Sequence, residues 1–222
     1  MKKIYVMGIP MLTVAAISGV LAASASAASE YEGGGGGFPI PFTFQNKTGV
    51  EPTLNAIALG ILVVVKCKTS SGAGEVVGAK GIAKMKTTYK ECKVVMNSAA
   101  CTSPGDASGE IDTSFLSGKL EYINLFTKTV GIEFKPTTGT VLAEFTCSGL
   151  PTAKVEGCVI GQVTPTNVVS TTGEFTFKAN SETQEFTKLE GGSLCEIKVF
   201  GSKAALNSQD VVTYAKAVSV KA

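Results

Sequence analysis

Carboxylates and lysines are the side chains with which this chain could perform acid–base chemistry, because it contains no histidine. The serine and cysteine nucleophiles of hydrolases rely on an imidazole base, and the usual catalytic zinc and haem sites use histidine ligands. These classes of site are therefore excluded. A Ser–Lys dyad requires a desolvated lysine, and no lysine lies in a clearly buried run of the sequence.

One short motif has the composition of a catalytic site. In Ile111-Asp112-Thr113-Ser114-Phe115, an apolar residue precedes Asp-Thr and a small residue, as in the signature of aspartic proteases. That mechanism needs two carboxylates that share one proton. The other aspartates, Asp106 and Asp210, do not repeat the motif, so a symmetric dimer would have to supply the second carboxylate. We favour the alternative, a polar residue at a strand end that bonds its own backbone.

The 15 glutamates could in principle provide the carboxylate pair of a glycosidase. Most of them alternate with apolar residues, as do Glu110, Glu133, Glu144 and Glu156. This alternation is typical of the solvent-exposed face of a sheet. The chain has no tryptophan for a sugar-stacking platform, and its three aspartates do not cluster as calcium ligands would. We predict no catalytic residue, no metal site and no cofactor.

The N-terminal segment has the layout of a secretory signal peptide. Lys2 and Lys3 precede an apolar run over residues 4–23, and Ala25-Ser26-Ala27 forms an A-x-A cleavage site. A membrane anchor is the alternative, but glycine and proline interrupt the run and no charged stop follows it. We expect residues 1–27 to be removed and the product to be secreted, extracellular and free of a membrane span.

The charge of the predicted mature chain argues against a nucleic-acid partner. Loss of the first two lysines leaves 18 basic and 18 acidic residues, so no net field steers the chain to a polyanion. Every basic residue is lysine, and guanidinium, the group suited to bidentate phosphate capture, is absent.

The cysteines of an exported chain predict disulfides. The chain contains six: Cys67, Cys92, Cys101, Cys147, Cys158 and Cys195. Among 15 pairings, we predict Cys92–Cys101 across a short excursion, and Cys67–Cys147 because both alternate with core-facing residues at strand ends. That leaves Cys158–Cys195. Free buried cysteines or zinc are the alternatives, but zinc needs four close ligands and the chain has no Cys-x-x-Cys.

Strand-like alternation predicts the fold class. We expect an all-β fold, an antiparallel β-sandwich or flattened barrel of about ten strands, stapled by disulfides. Residues 49–222 are expected to form a single all-β domain. Residues 28–48 are expected to form a flexible Gly-rich tail, in which the alternating residues 38–44 make an edge strand.

Four segments carry specific predictions. Residues 129–164 alternate in three runs separated by glycine and proline, which predicts an antiparallel meander. Residues 54–68 are apolar on both sides and predict a central strand, with a short helix over residues 54–59 as an alternative beginning. Residues 75–84 predict one short strand, and residues 96–108 predict a loop.

Three segments together resemble a group of secreted bacterial β-rich proteins that has no assigned function. They are residues 118–123 (GKLEYI), 130–149 and 159–165 (VIGQVTP). The resemblance covers residues 67–167. It implies export and an all-β fold, and it transfers no catalytic residue and no substrate.

The functional expectation is a secreted, non-catalytic β-domain that acts as an extracellular or cell-surface binding or structural module. Its partner would be an unknown extracellular ligand or surface component, bound by loops at one end of the fold. The first alternative is a secreted carboxylate-dependent, glycosidase-like hydrolase. Two close carboxyl groups in a cleft would favour it. The second alternative is self-association through the edge strand of residues 38–44.

Overall fold

The computed structural model describes residues 28–34, 37–58 and 60–222. The predicted signal peptide lies outside this part of the chain. All regular structure in the described residues is β-strand. The strands are β1 (Glu30–Gly33), β2 (Ile40–Asn46), β3 (Thr53–Ala58), β4 (Ile61–Lys66), β5 (Thr69–Gly78), β6 (Gly81–Lys90), β7 (Lys93–Val94), β8 (Cys101–Thr102), β9 (Ile111–Asp112), β10 (Leu116–Asn124), β11 (Thr129–Pro136), β12 (Val141–Cys147), β13 (Ala153–Gly157), β14 (Val159–Thr164), β15 (Val169–Phe177), β16 (Ala179–Asn180), β17 (Thr183–Gln184), β18 (Ile197–Val199) and β19 (Ser202–Lys221).

Eight of these strands close an antiparallel barrel. The pairings run β2–β5–β6–β10–β11–β14–β15–β19 and return from β19 to β2. The all-β, antiparallel prediction is confirmed. A closed eight-strand barrel with further strands outside it replaces the predicted sandwich or flattened barrel of about ten strands.

The strands outside the barrel include β3, β4, β7, β8, β12, β13 and β18, which we call the outer strands. Their pairings also form a circuit. It runs β3–β4–β7, crosses to β8 at the Lys93–Ala100 bridge, and continues β12–β13–β18. The 20-residue β19 belongs to both circuits. Its first residues pair with β18 and β3, and its later residues pair with β15 and β2.

Aromatic side chains fill the barrel. The ring centroids of Phe134 and Phe175 lie 5.6 Å apart, and those of Phe42 and Tyr214 lie 5.9 Å apart. Glycine on the strands makes room for the rings. A Cβ added at Gly161 would lie 2.7 Å from the Phe177 ring. An eight-strand barrel has an interior just wide enough for side chains to fill.

Two segments are longer in sequence than the strands they form. The predicted central strand or short helix of residues 54–68 is instead the β3–β4 hairpin, which reverses at Gly60. Gly60 has a φ of +77°, a conformation that favours glycine. The single strand predicted over residues 75–84 is likewise wrong, because those residues comprise the end of β5, a two-residue turn and the beginning of β6.

The predicted meander of residues 129–164 is also wrong in its pairing. Its alternation is real, since Val130, Ile132 and Phe134 are buried. However, β11 pairs with β10 and β14, and not with the next strand in sequence. The hairpin of β12 and β13 belongs to the outer strands, and the chain returns to the barrel at β14. The last of the three predicted runs is divided between β13 and β14 at Gly157, where φ is +103°.

The strand of residues 40–46 is not an edge strand. β2 pairs with β19 on one side and with β5 on the other, and its alternating Ile40, Phe42 and Phe44 are buried. β1 pairs with the last residues of β19. Because both sides of β2 are paired, residues 40–46 do not provide the free strand edge that the self-association alternative assumed.

Three disulfides staple the fold, but two of the predicted pairings are wrong. Cys67 is bonded to Cys92 and Cys101 to Cys147. The reason lies in the β5–β6 hairpin, which begins just after Cys67 and ends just before Cys92, with Thr69 opposite Lys90. Cys101 and Cys147 face each other across β8 and β12.

The third disulfide joins Cys158 to Cys195, as predicted.

No helix among the described residues is long and apolar enough to cross a membrane.

Candidate ligand cavity

Asp112, the centre of the protease-like motif, forms a surface ion pair. Its Oδ1 accepts a 2.6 Å hydrogen bond from the Thr88 hydroxyl, and its Oδ2 lies 2.5 Å from Lys86 Nζ. Partial burial opposes ionisation, but the hydrogen bonds from Lys86 and Thr88 outweigh it and lower the pKa of Asp112. The side chain is therefore a stably ionised partner of lysine.

The side chains of Asp112 and Asp210 lie on opposite sides of the barrel sheet. Thr88 and Tyr89 are consecutive residues of β6, so their side chains point to opposite sides of the sheet. Asp112 is bonded to Thr88, whereas Asp210 and Tyr89 line the same interior space. The structure therefore does not bring these two carboxylates together, and one chain does not form a proton-sharing pair from them.

The four glutamates named as examples of alternation each have a local partner. Glu110 pairs with Lys90, Glu133 with Lys135, and Glu144 with Lys154, at 3.9, 3.4 and 3.7 Å. Glu156 accepts a 3.2 Å hydrogen bond from the Thr140 hydroxyl. Each side chain is occupied locally on a solvated strand face. In the described ranges, no group of three or more Cys, Asp or Glu residues is arranged to hold a metal ion.

A cavity of about 90 Å³ lies between the barrel and the outer strands, and we call it the interior cavity. Both circuits contribute to its wall. Barrel residues that line it include Met85, Phe134 and Phe177, and residues of the outer strands include Val65, Phe145 and Val155. All six of these side chains are buried. Most of the wall is apolar. Its few polar groups therefore determine which polar part of a ligand can bind there.

Among the described residues that line the interior cavity, Asp210 alone carries a carboxyl group. The residue is 5% exposed. Its Oδ1 accepts a 2.7 Å hydrogen bond from the Ser70 hydroxyl, and its Oδ2 accepts a 3.1 Å bond from the Ser208 hydroxyl. None of the ion pairs found in the described part of the chain includes Asp210.

Burial controls the ionisation of Asp210. Removal of the carboxylate from water raises its pKa above the ordinary value, and the two serine hydroxyls only partly oppose this shift. Tyr89 faces the same cavity, and burial together with the charge of Asp210 raises the pKa of its hydroxyl. The interior cavity therefore contains one acidic group and one phenol in largely apolar surroundings.

A second concavity of about 420 Å³ lies on the barrel surface, and we call it the surface groove. Its floor crosses β2, β5 and β19 and includes Thr43, Ala73 and Thr213. These residues are opposite one another in register. Glu75 and Lys84 form an ion pair of 3.1 Å among its lining residues. Phe42 and Tyr214 also line the groove and are buried, and its two charged residues neutralise each other.

No protein-family model, curated protein or solved structure matches this chain.

Sequence reasoning singled out Asp112 and treated Asp210 only as a second protease aspartate. The sequence did contain a signal that Asp210 is buried. Ser208, Asp210, Val212 and Tyr214 alternate along β19, and all four are buried. An aspartate at a core-facing position of a strand is unusual, because ionisable groups are rarely buried without a partner.

Proposed function

We propose that this protein is a secreted, non-catalytic binding domain that holds a small ligand in the interior cavity. The observation that carries the proposal is a largely apolar space with one buried carboxyl group in its wall. Apolar walls with a few placed polar groups are the usual composition of small-molecule sites. Such a wall supplies affinity through burial, and the polar group orients the ligand.

The scaffold around the interior cavity favours binding without rearrangement. The barrel is closed, so its strands cannot separate without breaking a ladder of hydrogen bonds. Two disulfides join strands around the space, and Cys67 itself lines it. A site that is rigid before the ligand arrives loses little conformational entropy on binding.

The disulfides also support the proposed location. Three bonds that use all six cysteines are stable in an oxidising compartment and are rare in the cytosol. Together with the predicted signal peptide, they favour an extracellular protein.

Hydrolysis by paired carboxylates is the weaker candidate. Both retaining and inverting glycosidases need two carboxyl groups about 5–9.5 Å apart around the substrate. The interior cavity has one, and the glutamates considered earlier have separate local partners on the surface. These positions favour binding over catalysis.

The test is a thermal-shift and calorimetric screen of the purified secreted protein against small amines, alcohols, acids and aromatic molecules. We expect at least one class to raise the midpoint of unfolding. Ala143→Leu would add bulk to the wall of the cavity and should abolish that shift. Thr43→Lys, in the surface groove, should leave the shift unchanged.

Three results would contradict the proposal: no shift with any class of ligand, a shift that survives Ala143→Leu, or loss of the shift in Thr43→Lys. The unfolding midpoint of each unliganded variant checks that the substitution itself is tolerated. A parallel assay with extracellular polysaccharides tests the hydrolase alternative, for which turnover would have to be observed.

A further inference from the structure

Asp210 has bonding capacity that the protein does not use. An ionised carboxylate has about four lone-pair sites. The Ser70 and Ser208 hydroxyls occupy one on each oxygen. A buried carboxylate that lacks a cation is unfavourable, because hydroxyl groups compensate only part of the lost hydration.

The rest of the wall restricts what can approach this carboxylate. Most of the lining side chains, such as Met85, Leu142 and Val159, are apolar and buried, and Thr53, Thr87, Thr113 and Tyr89 add hydroxyl groups. A metal ion that has lost its water would find one carboxylate and a few hydroxyl oxygens there, whereas hard cations take about six or more oxygen ligands. A cation that carries its own hydrocarbon group matches both the charge and the apolar wall.

We infer that the interior cavity binds a primary alkylammonium group, with the ammonium donating hydrogen bonds to Asp210 and the alkyl chain lying against the apolar wall. This inference rests on the proposed function and names the class of ligand. The ammonium group brings three donors, of which the carboxylate oxygens can accept two. The pairing replaces an unpaired buried charge by a charge-assisted hydrogen bond.

The volume limits the length of the chain. The space of about 90 Å³ is smaller than an apolar cavity of about 150 Å³ that holds benzene. A short alkylammonium such as butylammonium, which has one non-hydrogen atom fewer than benzene, is therefore the appropriate probe. The same group occurs in free amines and at the end of a lysine side chain, and the experiment below separates these two sources.

Calorimetry at pH 7.5 with butylammonium chloride is the primary test, with butanol as the neutral molecule of matched size. We expect butylammonium to bind at least tenfold more tightly than butanol. Asp210→Asn keeps the shape of the side chain and removes the charge, and it should weaken butylammonium binding at least tenfold. The matched control is Asp112→Asn, which removes a carboxylate from the opposite face of the wall and should leave binding unchanged.

The unmodified protein provides a second measurement that does not depend on a variant. Asp210 and Tyr89 are the titratable groups that face the cavity, since Cys67 is in a disulfide. Protonation of Asp210 removes the charge, so butylammonium should bind more weakly as the pH falls through the range in which Asp210 titrates. Butanol should show no such dependence. Tyr89 stays neutral throughout that acidic range.

Two further comparisons complete the test. Nα-acetyl-lysine amide replaces butylammonium in one arm, and tighter binding of either molecule supports the inference and identifies the source of the group. Equal affinities for butylammonium and butanol, or an unchanged affinity in Asp210→Asn, would overturn the cation inference and leave the proposed function standing. If no probe binds, the cation inference fails, and the shifts in the wider ligand screen then decide the proposed function separately.

Discussion

The Ser70 hydroxyl donates a 2.7 Å hydrogen bond to Oδ1 of Asp210, joining residues that are 140 positions apart in the chain. Ser70 lies at the beginning of β5 and Asp210 lies within β19, two strands that are separated in the barrel by β2. Both residues are buried. The bond therefore joins two strands of the barrel at a carboxyl group that lines the interior cavity.

Removal of this bond should destabilise the protein. We expect Ser70→Ala to lower the free energy of unfolding by about 1–3 kcal/mol at neutral pH, since a buried carboxylate loses one of its two donors. It should also raise the pKa of Asp210 further, because the Ser70 hydrogen bond lowers it. Urea unfolding measures the first effect, and NMR titration of the carboxyl carbon measures the second. Ser71→Ala, at the exposed neighbouring residue, is the control and should change neither.

The dependence of stability on pH should reveal the buried carboxyl group. Burial raises the pKa of Asp210 in the folded state above the ordinary value of 3.8. Between the unfolded and folded pKa values, the folded state therefore binds more protons than the unfolded state, and this group's contribution to stability falls as the pH rises. Asp112 works in the opposite direction, because its pKa is lowered.

Asp210→Asn separates the two effects. We expect the stability of this variant relative to the unmodified protein to increase as the pH is raised from about 4 towards neutrality, because the variant has no buried charge to form. Denaturant unfolding at a series of pH values provides the measurement. A difference between the two proteins that does not vary with pH would show that Asp210 titrates normally in the folded state.

The disulfide connectivity can be read from a tryptic digest made without reduction. Cleavage at lysine should leave the peptide of residues 67–68 linked to that of residues 91–93. The peptide of residues 94–119 should be linked to that of residues 129–154, because Pro136 protects the bond after Lys135. Mass spectrometry identifies both products. A link between the peptides of residues 91–93 and 94–119 would instead support the pairing expected from the sequence.

Close packing between a strand glycine and an aromatic ring should make Gly161 intolerant of a side chain. An added Cβ would lie 2.7 Å from the Phe177 ring, in a filled barrel. We expect Gly161→Ala to cost about 1–3 kcal/mol of stability through overpacking. Gly78→Ala is the matched control, since no atom lies within 4 Å of its added Cβ, and it should change stability by less than about 1 kcal/mol. Equal effects in thermal unfolding would show that the ring moves aside freely.

The local alternation of the chain was enough to predict an all-β fold. Residues i and i+2 of a strand share a face whatever the strand's partner is, so Val130, Ile132 and Phe134 could be assigned to the core from their spacing, and all three are buried. The cysteine content also predicted that disulfides form. Their formation follows from composition and compartment, and does not require knowing which strands are neighbours.

Pairing depends on contacts between distant residues, and sequence order is a poor guide to it. The bonds Cys67–Cys92 and Cys101–Cys147 follow from the ends of a hairpin and from a register between strands, neither of which shows in spacing alone. The interior cavity is assembled in the same way, with Ser70 and Asp210 brought together from positions 140 residues apart in the chain. Local spacing thus determined which residues turn inward, and only the closure of the barrel decided which of them meet.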